Sequence, residues 1–145
     1  LGFHPLHIVL AQSINLLYQY WVHTELIETL GPMEWVFNTP SHHRVHHGAN
    51  PLYLDRNYGG ILIIWDRFFG TFEAEQERPT YGLTHNIESH NPVVIAFHEW
   101  QAIGRDIVSA ETWRGRLGYL FGRPGWREDG QGKSAVDLRA EALDQ

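Results

Sequence analysis

Four histidines fall within six residues in Ser41-His42-His43-Arg44-Val45-His46-His47-Gly48, and any fold of this chain must find partners for all of them. Imidazoles packed this densely crowd one another, and they repel once protonated. On a helix, at about 100° per residue, His43, His46 and His47 fall within an arc of about 100°. Three rings on one face of a short helix can converge on one metal ion or on two adjacent ones. His42 sits at the margin of the arc, and geometry leaves it in play. Neutral imidazole suits iron, copper, nickel and zinc, and it suits calcium or magnesium poorly. A three-histidine catalytic zinc site also fits, although no Glu follows the first of two helical histidines as in zinc proteases. The competing reading is a solvated run of histidines, each bonded separately.

The rest of the composition narrows the setting. With 43% apolar and 13% aromatic residues in 145, the chain has material for one folded core. It has no cysteine, which removes disulfide scaffolds, thiolate zinc sites and cysteine nucleophiles together. The 11 Lys and Arg form no basic run against 17 Asp and Glu, so no nucleic-acid partner is expected. Residues 1–24 carry no Asp, Glu, Lys or Arg and show no signal-peptide pattern. That stretch is long enough to cross a bilayer, for which about 20 residues suffice. Gln12, Asn15, Gln19 and His23 recur on it at spacings of three and four, one polar stripe on a helix. Polar groups in a membrane helix usually face a site; the alternative is an amphipathic helix of a soluble bundle.

Periodicity and punctuation predict a helix over residues 6–30, stopped by Gly31-Pro32. A short turn over Met33–Phe37 and a second helix start at Asn38-Thr39-Pro40-Ser41, with hydroxyl capping, should follow. Asp55 to Gly60 reads as a loop leading into the apolar run Ile61–Trp65. Residues 73–91 read as turns, 92–110 and 111–121 as helices, and 127–145 as a polar, flexible tail with three basic and five acidic residues.

Several of these segments together resemble the fatty acid hydroxylase/sterol desaturase superfamily. His43-x-x-His46-His47 is similar to its last histidine motif. Tyr18-Gln19-Tyr20-Trp21-Val22-His23-Thr24-Glu25, Asn38 through Gly48, Asn57-Tyr58-Gly59-Gly60 and Gly70-Thr71-Phe72 resemble the alkylglycerol-type branch and its bacterial relatives. Tyr81-Gly82-Leu83-Thr84-His85 and Pro124-Gly125-Trp126 extend the likeness, which covers roughly residues 6–126. It implies an all-α fold: an integral membrane helical fragment with a cytosol-facing histidine-cluster helix. Residues 1–126 would be the C-terminal part of the catalytic domain. The resemblance implies two iron ions as cofactor, a membrane lipid and O₂ as substrates, and an external electron donor, tetrahydropterin for the alkylglycerol type. It makes His43, His46 and His47 metal ligands and adds His23 as a further one. The pattern also requires an earlier His-x-x-x-His and an earlier His-x-x-His-His. Neither precedes His43, and His4 with His7 does not supply one. The chain opens on Leu1, so the expectation is a C-terminal piece whose missing N-terminal half carries the other ligands and which is inactive alone.

Two other functional readings stay open on the residues: a zinc-dependent membrane hydrolase and a non-catalytic metal-binding membrane fragment. Around the cluster, Asp66 is a candidate acceptor for a ligand ring N–H, against the alternatives of a pair with Arg67 or a helix cap. Gln19 is a second candidate, by its place on the stripe; Asp55 and Asn57 are weaker ones. Phe68-Phe69-Gly70-Thr71-Phe72 reads as core and turn. His85, His90 and His98 are scattered and are not expected as ligands, and Glu99, the next residue on a helix, is expected to point away from His98. Trp113, Tyr119 and Trp126 suit either a membrane interface or a core.

Overall fold

The structure, a computed structural model, describes residues 2–82 and 87–144. His85 and the Leu83-Thr84 portion of the likeness lie outside the described residues. The chain divides into two compact units, Leu1–Gly82 and Leu83–Gln145. Both are helical, and the described residues form no β-strand beyond isolated bridges.

In the first unit, α1 spans Pro5–Val22; Pro5 stands in its first turn, and the His4 ring accepts from Leu6 N at 3.3 Å. The helix stops eight residues before the expected end at 30. At His23 the backbone leaves the helical region (ψ 69°), and the carbonyls beyond it are taken by a side chain from elsewhere. Arg44 donates to the carbonyls of Thr24 (3.0 Å), Ile27 (2.8 Å) and Glu28 (3.1 Å). Local propensity over 24–30 is thus overridden by tertiary hydrogen bonds. A 3-10 turn, Gly31–Trp35, replaces the turn expected over 33–37.

The next helix, α2 (Pro40–His46), carries the cluster and is the buried element of the unit: Pro40, Ser41, His42, His43 and Val45 are all inside. Pro40 fills the first helical position, as its fixed φ favours. Thr39 does not cap the helix as expected; its hydroxyl donates to Glu34 Oε1 at 3.3 Å. A short turn at Pro51–Tyr53 precedes a loop whose Asp55 and Asn57 adopt positive φ (55° and 52°). The chain then forms α3, Ile64–Phe69, closed by Gly70 in the left-handed region at φ 74°.

The core of this unit is half polar. Val22, Val45, Tyr53 and Ile63 are buried beside Asn38, Thr39, Asn57 and Asp66. Polar groups tolerate such burial only when bonded. Asn57 Nδ2 donates to the carbonyls of His42 (3.1 Å) and Glu73 (2.8 Å), while its Oδ1 accepts from Glu73 N at 2.9 Å. Asn38 Nδ2 donates to Gly59 O at 2.6 Å, and its carbonyl accepts from Tyr18 OH at 2.8 Å. Bridges from Phe37 to Leu62 and from Gly48 to Tyr81 tie both ends of the α2 segment to the rest.

The second unit holds α4 (Pro92–Ser109), α5 (Trp113–Phe121) and α6 (Ala135–Leu143), started by Asn91, Thr112 and Ser134. Glu128 binds the N-terminal end of α5 through Glu111 N (3.0 Å) and Thr112 N (3.1 Å). Tyr119 and Trp126 meet edge to face with centroids 5.1 Å apart, which realises the packing alternative for these two rings; Trp113 is exposed. Inside the segment expected as a polar tail, Ser134 and Asp137 form a reciprocal capping box that starts α6. No helix among the described residues is long and apolar enough to cross a membrane. For α1 the reason is polarity rather than length: its 18 residues include His7, Gln12, Ser13, Asn15 and Gln19.

Candidate metal centre

The early end of α1 has a chemical consequence, because it leaves His23 as the C-cap beside α2. Its Nδ1 lies 2.6 Å from the Gln19 carbonyl, which can only accept, so Nδ1 carries the proton and Nε2 a free lone pair. That Nε2 is 2.9 Å from His43 Nε2 and 3.1 Å from His47 Nε2, and the last two are 3.1 Å apart. Three nitrogens from two elements 20 residues apart in sequence thus form a nearly equilateral triangle. The donor set passes a simple test: nitrogen–metal bonds of about 2.1 Å at right angles place neighbouring donors about 3 Å apart.

Protonation agrees. Burial, reinforced by the neighbouring rings of His23, His47 and His46, pushes His43 down to about 3. Burial and then His46 and His23 lower His47 as well. Both rings are neutral bases at neutral pH, the form that binds metal. His43 Nδ1 is buried with no hydrogen-bond partner.

Of the expected ligands, the structure brings His23, His43 and His47 together. His46 stands beside them: its ring stacks on His43 with centroids 5.4 Å apart and lines the same small cavity of about 140 Å³, but its nitrogen is not in the triangle. The C-terminal end of the polar stripe of α1, Gln19 and His23, reaches this cavity. Gln19 lines it, and Gln19 also fixes the His23 tautomer, through its backbone rather than its amide. His42 points away and packs edge-on against Phe72 (5.3 Å), pushed down by burial.

Asp66 does not meet a ligand ring. Its carboxylate accepts from Tyr58 N (2.7 Å), Gly59 N (2.7 Å) and Thr71 Oγ1 (2.6 Å), so it shapes the loop that forms the cavity's rim. The reason is that its oxygens are taken up by the loop backbone and Thr71, while Tyr58, Gly59 and Gly60 of that loop line the cavity. Asn57 likewise serves the backbone, and Asp55 reaches Tyr58. Gly59 is required there, since a Cβ would collide with the Leu62 carbonyl and lie 2.8 Å from Asp66 Oδ2; at Gly60 a Cβ would only push aside the side-chain ends of Asn15 and Gln19. Reading the sequence missed the roles of Asn38 and of the Arg44–Glu75 pair, and it named Asn57 as a weaker candidate beside the ligands rather than as a backbone clamp; Asn38-Thr39-Pro40 and Arg44 inside the motif were visible, but not their partners. On the other side of α2 lies a larger cavity, about 940 Å³, lined by His42, Arg44, Arg67, Trp35 and several glutamates.

A His-x-x-His-His helix whose imidazole nitrogens converge with that of a further histidine is the pattern of one group of proteins. The chain belongs to the fatty acid hydroxylase family, whose model matches residues 1–71. It is similar to the alkylglycerol monooxygenase of Homo sapiens, 44% identical over 96% of this chain and 32% of that protein. It is also similar to that of Xenopus tropicalis, 50% identical over 89% of this chain and 28% of that protein. Over 29% of the chain and 13% of the relative it is 45% identical to the ornithine lipid hydroxylase OlsE of Rhizobium tropici. The chain therefore spans about a third of the length of the alkylglycerol monooxygenases it matches. No solved structure matches it.

Proposed function

We propose that this chain supplies the C-terminal share of a non-haem diiron centre in a membrane lipid monooxygenase, with an alkylglycerol-type ether lipid as substrate. The observation that carries the reading is the triangle of three imidazole Nε2 atoms, 2.9–3.1 Å apart. His23, His43 and His47 would hold one ion, and His46, on the same cavity, would turn to the second. When bound, iron supplies the activation of O₂ and the oxidation of an alkyl carbon. The chain's own residues do the rest. The Gln19 carbonyl keeps the His23 proton on Nδ1, burial keeps His43 a base, and the loop from Asn57 to Gly60, held by Asp66, walls the cavity.

The chain spans about a third of the alkylglycerol monooxygenases it matches; the remaining ligands would come from outside that third, so turnover is proposed for the full-length enzyme. The reducing equivalents come from an external donor, of the tetrahydropterin class for an alkylglycerol-type reaction. The site faces the cytoplasm, and the apolar face of α1 lies against the bilayer or its membrane-embedded neighbours. The test is iron analysis and lipid-dependent O₂ consumption on the full-length enzyme. His43→Ala should lose bound iron and turnover together, whereas His90→Ala, outside both cavities, should retain both. A zinc hydrolase would consume no O₂ and need no reductant. Iron content and turnover both unchanged in His43→Ala would sink the proposal.

A further inference from the structure

Within the histidine motif one residue is not a histidine and is not on the cavity. Arg44 lies between the ligand His43 and His46, on the far side of α2. Its guanidinium is nearly enclosed, at 11% side-chain exposure, and it uses its fork in two directions. Nε and Nη2 grip the two oxygens of Glu75, at 2.8 and 2.6 Å. Nη1 and Nη2 hold the carbonyls of Thr24, Ile27 and Glu28, the segment that begins one residue after His23. Those three carbonyls lie in a stretch whose sequence continues the helical pattern of α1. If α1 ran on through them, they would bond to amides four residues ahead, and His23 would sit on a helix surface instead of at a helix end.

We propose that Arg44 is a positioning residue for the metal centre: anchored by Glu75, it terminates α1 at Val22 and thereby delivers the His23 ring to His43 and His47. The proposal rests on the metal-binding reading of the triangle. It explains why an arginine stands inside the motif: only a planar fork of five donors serves a carboxylate and a set of carbonyls together, which a lysine ammonium does not. Glu75 completes the device by fixing the fork's orientation; bonds from Arg44 and Ser41 hold its carboxyl below the usual range despite burial.

The test is a double-mutant cycle on the full-length enzyme, with Co²⁺ as the probe and affinity and visible absorption as readouts. His23→Ala and Arg44→Ala should each weaken Co²⁺ binding, Arg44→Ala by about 10–100-fold, the range for groups that orient ligands. If Arg44 acts through His23, the double variant binds no more weakly than His23→Ala alone, because coupled residues do not add. The Co²⁺ absorption of Arg44→Ala should then match that of His23→Ala. Arg44→Lys should not restore affinity. Should Arg44→Ala fail to fold, Glu75→Gln, nearly isosteric, enters the same cycle with the same expectation. Additive losses, or an unchanged Co²⁺ affinity in both Arg44→Ala and Glu75→Gln, would overturn the proposal. His43→Ala separates the two layers. If it too keeps full Co²⁺ affinity, the metal site itself is wrong; if it loses Co²⁺ while the cycle is additive, only the role of Arg44 is.

Discussion

His43 shows at residue scale what the fold imposes on chemistry. Buried among three other imidazoles, it is pushed down from 6.5 to about 3. As pH falls below 6.5 the unfolded chain takes up its proton first, so the contribution of the neutral ring is fully present above that value. It is lost progressively as pH drops toward 3, at up to about 1.4 kcal/mol per pH unit. The metal-free protein should therefore unfold more easily between pH 6.5 and 3, and His43→Gln, which cannot titrate, should show a shallower loss in denaturant titrations across that window. Asp66 makes a second residue-scale case. Asp66→Asn keeps the shape but replaces one acceptor oxygen with an NH₂ facing the donors of Tyr58, Gly59 or Thr71. A loss of about 3 kcal/mol is expected, measurable as a lower denaturation midpoint. The sequence marked this carboxylate as significant and left open a ligand ring, Arg67 or a helix cap as its partner; the partners found are two loop amides and Thr71. A buried Asp announces that something must donate to it, but whether an imidazole or two backbone amides depends on a loop eight residues upstream.

At the scale of elements, helix starts were readable, as were the ends of α4 and α5 to within a residue, but the end of α1 was not. Pro5, Pro40 and Pro92 stand in the first turns of α1, α2 and α4 as their chemistry requires, because such signals lie within a few residues of the boundary. The end of α1 depends on Arg44, 20 residues away from Thr24, and no periodicity encodes it. Likewise the α6 start needed only Ser134 and Asp137, a signal present in the sequence but overshadowed by the polar character of its surroundings. Ser134→Ala should cost about 1 kcal/mol and lower the helical signal on heating. Two glycines make a sharper comparison. Gly59→Ala drives a methyl into the Leu62 carbonyl and the Asp66 carboxylate, with about 1–3 kcal/mol of destabilisation expected and a weakened Co²⁺ site. Gly104, inside α4, faces open space; Gly104→Ala should stabilise by up to about 1 kcal/mol, read as a rise in the unfolding midpoint.

For the whole molecule, the histidine helix and one further ligand were legible because four histidines in six residues leave few alternatives, while the supporting polar core was not. Asn38, Asn57 and Glu75 each reach across 15 or more residues to their partners. The unit that carries the site is held together by such bonds as much as by its four fully buried apolar residues. A bound ion that joins α1 to α2 should therefore add visibly to stability, by about 2.7 kcal/mol at a hundredfold excess over its dissociation constant; adding a chelator to metal-loaded protein should lower the thermal midpoint accordingly. One feature of α1 bears on how the molecule behaves outside its natural setting. Of its 18 residues only Val22 is buried, and Leu6, Ile8, Val9, Leu10, Ile14, Leu16, Leu17 and Tyr20 are each more than half exposed. Contiguous apolar surface of this kind is rare on a freely dispersed monomer. The isolated polypeptide should consequently be colloidally unstable in plain buffer, sedimenting as polydisperse aggregates that mild detergent micelles disperse.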